Sequence, residues 1–440
     1  MNPKRINLRT SITKKIDNLE ELKSKLLAWS QQFREIVFLD SNNINSSFSS
    51  FENILAVDAF TSIQTDSFNA FEDLDVYQKT TKDWLFGYLS YDLKNDTEKL
   101  TSENKDGLKF PELFFFQPKK IFFIKENTLE LNYLNMCKDE IESDYQEIMH
   151  FETTFLEEEN KISIQQQISK EEYIQKINKM LEYIQKGIIY EANFCIEFFA
   201  KDTIIQPLHT FQSLNKISKA PFSAFFKNHK NFALSASPER FLKKIAEKCI
   251  SQPIKGTSKR DIDPQQDAFN KNFLANDPKE RAENIMIVDL VRNDLSKTAQ
   301  KDSVKVEELC GIYSFEQVHQ MISTVSSKIK PEFSPVQVLK STFPMGSMTG
   351  APKISAMKCI EELEETKRGL YSGAIGYFTP ENDFDFNVVI RSILYNETEK
   401  YVSFTVGSAI TSKAEAEKEY EECLLKARAM RMVLNDKTLV

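Results

Sequence analysis

One lysine, in the segment Gln252-Pro253-Ile254-Lys255-Gly256-Thr257, is the residue best placed to do chemistry in this chain. Pro253 stiffens the backbone before it and Gly256 frees the backbone after it. Small neighbours let the amine project into a cavity. The setting matters more than the residue, because a lone lysine is usually exposed. Glu239 lies sixteen residues upstream. Two Glu-x-x-Glu pairs lie downstream, Glu280 with Glu283 and Glu419 with Glu422, each on a predicted helix and so on one helix face. Such pairs line solvated helix faces in many proteins. Brought together, they repel unless a cation sits between them, and Mg²⁺ suits carboxylate oxygens, water and a substrate oxygen. An amine, a carboxyl and an acidic cluster together fit an enzyme acting on a small carboxylated substrate.

Other segments add possible contacts. Residues 343–353, FPMGSMTGAPK, form a Gly- and hydroxyl-rich loop opening a helix, with Pro352 expected at the first helical position. Free N–H groups there would cradle an anion. The spacing matches neither a P-loop nor a dinucleotide fingerprint. Gly407-Ser408-Ala409 is expected to end a strand, where small residues let a ligand approach the backbone. Arg391 falls among Val388, Val389, Ile390 and Ile393, and an arginine in an apolar strand needs a partner. A substrate carboxylate held bidentately or a structural salt bridge would each serve. His319, between Val318 and Met321, reads either as a satisfied core histidine or as a catalytic one.

These residues must be positioned by an α+β scaffold. A helix is predicted over residues 20–33. Another follows Ser169, with Glu172 completing a capping box and Gly187 past the last turn. Further helices are predicted over 278–291, 352–365 and 413–433. Residues 84–92 read as a strand with a Gly bend, 121–133 as a hairpin around Glu126-Asn127, and 222–235 as a hairpin around Asn228-His229-Lys230. Residues 373–378, 386–394 and 401–406 read as strands. Hairpins of this kind are not the regular alternation of a doubly wound sheet. The charged, Gln-rich stretch 152–167 reads as a connector. It separates an N-terminal lobe, 1–150, from a larger region, 168–440, and the two are expected to pack as one unit.

The 440 residues carry 57 Lys and Arg against 65 Asp and Glu, a net charge of −8, which argues against nonspecific nucleic-acid binding. Cys137, Cys195, Cys249, Cys310, Cys359 and Cys423 form no CxxC pair, so neither a structural zinc nor a disulfide framework is expected. The basic, polar start and the lack of a long apolar run predict a cytoplasmic protein without a membrane span.

Taken together, SPERF (237–241), PIKGT (253–257), ERAENIMIVDLVRND (280–294), GSMTGAPK (346–353), GAIGYF (373–378), VVIRS (388–392) and GSAI (407–410) resemble the chorismate-utilising enzymes. FGYLSYD (86–92) resembles them more weakly. The resemblance implies two antiparallel sheets packed as a sandwich, with helices outside and the active site in a cleft. It implies Mg²⁺ on Glu283 and Glu422, supported by Glu280 and Glu419. It places Ser347, Tyr371, Arg391, Gly407, Ala409 and Glu191 around the substrate, Arg391, Tyr371 and the backbone near Ala409 holding the enolpyruvyl carboxylate. Ala409 stands where the family usually has a second Gly.

Within the family, PIKGT is similar to the aminodeoxychorismate synthases, whereas the anthranilate branch has Ala at the position of Lys255. Isochorismate-forming relatives carry a water-activating lysine at the position of Glu191, where ammonia-using relatives mostly have Gln. The resemblance therefore implies amination of chorismate at C4, with Lys255 attacking C2 as the C4 hydroxyl leaves and Glu239 acting as general acid and later base. Thr257 joins this catalytic set. His319 corresponds to a residue assisting pyruvate elimination in the anthranilate branch and is expected here only to position. The amine must be neutral to attack, so burial and nearby Mg²⁺ are expected to depress its pKa. The sequence contains no Gly-x-Cys-x-Gly elbow, so ammonia would come from a separate glutamine amidotransferase subunit, and a lyase would act on the product. The alternatives are an anthranilate synthase component, whose tryptophan-binding motif would correspond to Phe38-Leu39-Asp40-Ser41, and an inactive chorismate-binding subunit.

Overall fold

The computed structural model describes residues 8–44, 52–152, 162–316 and 318–436. Residues 153–161 of the expected connector lie outside these. Among the described residues, twenty strands form one network in which every pair of named strands is antiparallel.

The network folds into two layers. The first runs from Arg9–Lys15 through Thr128–Leu134, Leu113–Lys125, Asn53–Thr65, Glu35–Asp40, Phe222–Asn228, Asn231–Ser237, Ser392–Asn396 and Tyr401–Thr411 to Glu191–Ala200. The second leaves the same Leu113–Lys125 strand and runs through Leu85–Leu89, Ala374–Phe378, Phe384–Asn387, Arg240–Ile245 and Lys248–Gln252 to Val318–Lys328. That last strand also pairs with Ile254–Lys259 and Lys305–Ser314. The expected α+β sandwich is present, and its two sheets are continuous through one long strand.

Side chains alternate between the two faces of a strand, so the first layer serves two cores. Ile36 and Phe38 enter the outer one, and Val37 enters the inner one. Helices Leu19–Ser30, Lys170–Gln185, Pro207–Ser218, Lys353–Leu363 and Ala416–Val433 contribute their buried residues to the outer core. The inner core lies between the layers and is rich in phenylalanine, with Phe86, Phe114, Phe116, Phe226 and Phe386 among its members. The helix Lys170–Gln185 carries the expected capping box of Ser169 and Glu172, and Gly187 follows it with φ +71°. Among the described residues no helix is long and apolar enough to cross a membrane.

Two segments cross side by side from one layer to the other. Asn231–Ser237 lies in the first layer and Arg240–Ile245 in the second, while Phe384–Asn387 lies in the second and Ser392–Asn396 in the first. The single strand expected over 386–394 is therefore broken, because its backbone bonds run sideways at the crossing. Val388 N–H donates to the Glu239 carbonyl (3.0 Å), Val389 N–H to the Gly373 carbonyl (2.8 Å), and Ala236 N–H to the Arg391 carbonyl (3.1 Å). Arg391 itself adopts φ +53°, outside the extended region. Early and late parts of the chain are also interleaved: Glu35–Asp40 pairs with Phe222–Asn228, and Leu85–Leu89 with Ala374–Phe378.

Gly87 makes no bend. It lies within Leu85–Leu89, and a short 3-10 turn, Tyr91–Leu93, follows the strand. A Cβ at Gly87 would fall 2.0 Å from the Phe114 carbonyl oxygen, so the glycine is there to let two strands approach. Gly87→Ala is expected to cost about 1–3 kcal/mol as the inner core shifts to relieve the overlap, read as a lower urea midpoint with the m-value unchanged.

Candidate active site

Lys255 stands on a strand bulge rather than in the loop expected from its Pro and Gly neighbours. Ile254 pairs with Ile322 and Thr257 with Gln320, so Lys255 and Gly256 together oppose a single residue. Gly256 adopts φ +95°, which a residue with a Cβ rarely takes. A bulge re-aims the side chain it carries. Here the amine is taken out of the sheet pattern and set 3.2 Å from Glu191 Oε1, with the lysine side chain 12% exposed. Asn284, fully buried on helix Pro278–Ser296, donates through Nδ2 to the carbonyls of Lys255 (3.4 Å) and Met321 (3.3 Å), which pins the bulge to its partner strand.

Glu191 is 1% exposed and begins the strand Glu191–Ala200. On that strand Glu191, Asn193 and Cys195 share the face opposite Ala192, Phe194 and Ile196, which belong to the outer core. Glu239 lies at the layer crossing, 4% exposed. Burial raises its pKa to about 7, against the opposing effects of a hydrogen bond with Ser347, the Lys255 charge and the Ile254 backbone. Burial by itself pulls the Lys255 amine down, but Glu191, Glu283 and Glu239 outweigh it and the net shift is upward. The protein's own carboxylates therefore favour the ammonium form of the lysine, against the depression expected from burial.

The helices that carry the two acidic pairs are linked through Lys279 and Glu419, 3.5 Å apart, and Glu422 acts electrostatically on Glu280. Helix Pro278–Ser296 is started by Asp277, which accepts from the N–H groups of Lys279 and Glu280, and it presents Glu280 and Glu283 on one face. Glu283 is buried, its pKa raised to about 7 by burial and the neighbouring Glu280, and its Oε1 has no hydrogen-bond partner. Burial first and then Glu422 raise Glu280, and the same two causes raise Glu419. At Glu422 burial pulls upward but is outweighed by Lys426, 2.5 Å away, with help from Lys255 and Lys279, so the net shift is downward. Among the described residues no three acidic, His or Cys side chains already converge on one point. The donors nevertheless fit a hard divalent cation: four carboxylates, one buried with an unpartnered oxygen, neutralised at the edges by lysines.

Among the described residues the Arg391 guanidinium makes no salt bridge or hydrogen bond, and burial pushes its pKa down while Tyr371 and Glu422 oppose. The structural salt bridge considered for it is not found. Tyr371 is 3% exposed, with its hydroxyl accepting from Cys195 Sγ at 3.8 Å. Gly407 and Ala409 lie side by side on one face of Tyr401–Thr411, which runs past them instead of ending there. Gly407 pairs with Cys195 and Ala409 with Asn193. A Cβ on Gly407 would meet Cys195 Sγ at 2.5 Å, so the glycine serves close packing.

Ser347 reaches the site on a tightly braced loop. Its carbonyl accepts from Asn193 Nδ2 at 2.8 Å. The Met348 and Thr349 N–H groups are engaged inside the loop, by Met345 and Gly346, which leaves less of an anion cradle than expected. Pro352 stands one residue before its helix rather than at the first helical position. The buried Arg368 ties the loop down, donating to the carbonyls of Met348 (2.6 Å) and Asn193 (2.7 Å) while paired with Glu364.

Two expected members stand apart. Thr257 is exposed on its strand. His319 is buried, with both ring nitrogens engaged, Nε2 with Asp267 at 3.0 Å and Nδ1 with the Ser314 hydroxyl at 2.9 Å. Asn193, Asn284, Arg368, Lys279 and Lys426 touch these residues and were missed by sequence reasoning. Asn193 was findable, since a period of two puts it on the face of Glu191.

The raised carboxyls set a pH dependence of stability. Glu239 binds its proton more tightly in the folded chain than in the unfolded one. Its contribution is fully present below the unfolded value of 4.5 and is lost as pH rises to about 7. Unfolding free energy is expected to fall by about 3 kcal/mol per such group across that window. In Glu239→Gln the decline measured by urea titration from pH 5 to pH 8 should be shallower.

Residues 34–432 match the chorismate binding enzyme family. The chain is 35% identical over 368 residues to "Aminodeoxychorismate synthase, chloroplastic" of Arabidopsis thaliana, covering 78% of this chain and 39% of that protein. It is 39% identical over 255 residues to "Aminodeoxychorismate synthase component 1" of Klebsiella aerogenes, covering 58% of this chain and 56% of that one. It thus spans roughly two-fifths and just over half of these relatives. In fold it is similar to the crystal structure of anthranilate synthase component I from Streptococcus pneumoniae, with TM-score 0.77 and 22% identity over 88% of this chain and 93% of that one. With the match running through both layers and every segment of the site, the chain belongs to the chorismate-binding enzymes.

Proposed function

We propose that this chain aminates chorismate at C4 with ammonia, giving 4-amino-4-deoxychorismate for 4-aminobenzoate and folate synthesis. The observation that carries the reading is a buried amine, Lys255, held among Glu191, Glu239 and Glu283, in a chain whose Arg391 guanidinium has no ion-pair partner among the described residues. A dicarboxylate supplies what Arg391 lacks, and a bidentate pair with one carboxylate fixes the ring's orientation. Tyr371 and the backbone around Ala409 complete that end. Glu280, Glu283, Glu419 and Glu422 would hold Mg²⁺, which neutralises the ring carboxylate when bound. Lys255 attacks C2, the ring double bonds shift, and the C4–O bond breaks while Glu239 gives its proton to the departing hydroxyl. A carboxyl with a pKa of about 7 is matched to giving that proton near neutrality and taking one back. Ammonia then adds at C4 and expels the lysine amine.

The ammonia is assigned to a separate glutamine amidotransferase subunit, and a lyase consumes the product. The setting is the cytoplasm. His319, fully engaged away from the lysine, is left with a positioning role, which accords with a product that keeps its pyruvate.

Incubation with chorismate, Mg²⁺ and an ammonium salt is expected to give a product in which NH₂ replaces OH and pyruvate is retained, identified by mass spectrometry. Anthranilate with free pyruvate would overturn the reading. Lys255→Ala should lose at least about 100-fold in kcat. Arg391→Met should raise KM for chorismate by about 10- to 100-fold, the loss expected for a charged hydrogen-bonding partner.

A further inference from the structure

Glu191 is the group whose chemistry the reaction above leaves without a use. Among the described residues it is the one carboxylate ion-paired with Lys255, at 3.2 Å. It is 1% exposed, and its other oxygen, Oε2, is buried with no hydrogen-bond partner. Its position is fixed from both sides. The strand it begins pairs with Tyr401–Thr411 at Thr411 and with Gly350–Ala351 at Ala351. Gly350 packs so close that a Cβ there would lie 2.2 Å from the Glu191 carbonyl oxygen. A buried carboxylate oxygen without a partner is costly unless something arrives to use it.

The amine has a proton to lose. Lys255 Nζ lies 3.2 Å from Glu191 Oε1, the spacing of an ammonium donating to a carboxylate, and Glu239 from the layer crossing and Glu283 from helix Pro278–Ser296 are the other carboxyls that act on it. Glu239 must carry a proton into the reaction to release the hydroxyl, and Glu283 belongs to the acidic cluster. Neither is available to deprotonate the nucleophile.

We propose that Glu191 is the catalytic base for Lys255, taking the proton from its ammonium group so that the amine can attack. This rests on the reading of Lys255 as the nucleophile. The protons balance over the cycle. One passes from Lys255 Nζ to the Glu191 carboxylate, and the freed lone pair forms the bond to C2. The C1=C2 and C5=C6 electrons move to C1=C6 and C4=C5, and the C4–O pair leaves with the Glu239 proton as water. When ammonia adds at C4 the electrons return, and the C2–N bond breaks with its pair going to Lys255. The new ammonium at C4 gives a proton to Glu239. Glu191 then returns its proton when Lys255 is recharged.

The test follows adduct formation alone, by intact-protein mass spectrometry of the Mg²⁺-loaded chain mixed with chorismate and no ammonia, from pH 6 to pH 9. Leaving ammonia out removes its own titration from the profile. Glu191→Gln keeps the shape of the side chain and is expected to slow adduct formation at pH 7 by about tenfold or more. Its rate should climb with pH, as solvent takes over deprotonation. In Glu191→Ala, added acetate should restore part of the rate. An adduct rate and pH profile unchanged in Glu191→Gln would overturn the assignment. If Glu191→Gln does not fold, Glu191→Asp is measured instead, and an unchanged rate there with no acetate rescue of Glu191→Ala would equally overturn it. Lys255→Ala separates the two ideas. Full ammonia-dependent turnover in Lys255→Ala removes the covalent reading itself, whereas an inert Lys255→Ala beside an unaltered Glu191→Gln removes only the role of Glu191.

Discussion

A charged amine cannot lie in a protein interior without compensation, and the compensation of Lys255 organises the surrounding site. Three carboxyls from three different places in the fold surround it: Glu191 from the start of a strand, Glu239 from a layer crossing and Glu283 from a helix. Each is anchored by packing that has nothing to do with charge. Close strand approach at Gly350 fixes Glu191, sideways backbone bonds fix Glu239, and the row Ile287, Val288 and Val291 buries the helix that carries Glu283. Because these anchors are rigid, the lysine is positioned by its environment more than by its own flexible stem. The bulge at Lys255 and Gly256 is what lets a strand residue reach them.

The place where two segments change layers is the second organising feature. Strand interiors satisfy their backbone groups with neighbours on both sides and leave only side chains for chemistry. At residues 238–239 and 388–391 the sheet pattern is interrupted, and the chain presents Glu239 and Arg391 where ladder bonds would otherwise run. One brings a carboxyl whose pKa is raised to about 7, the other a guanidinium that makes no ion pair among the described residues. The left-handed backbone at Arg391 is part of the same interruption.

How much of this could be read from the residues follows the same physics. The helix after Ser169 and the hairpins at 121–133 and 222–235 were legible because caps and turns are local signals. The acidic pairs were legible because helical spacing puts Glu280 near Glu283 and Glu419 near Glu422. The break at 388–391 was not, since Val388, Val389 and Ile390 carry every local mark of a strand and only contacts across the sandwich stop them. The bulge was hidden for the same reason: Pro253 and Gly256 signal a turn equally well. The direction of the Lys255 shift depended on carboxyls 64 and 28 residues away in sequence, at Glu191 and Glu283. His319 is a case where apolar neighbours left two readings open, and the contacts of its two nitrogens put it among the braces.

The interleaving of early and late strands also bears on how the chain is made. Leu85–Leu89 finds one of its two neighbours only when Ala374–Phe378 arrives, about 290 residues later. At about 5–20 residues per second, ribosomal synthesis leaves that edge open for some 15–60 s. The waiting strand is aromatic and almost wholly apolar, the kind of edge that invites pairing with another chain. A fold that closes its sandwich with its own late strands therefore carries a long nascent exposure, and its yield in the cell is set by what shields that edge in the meantime.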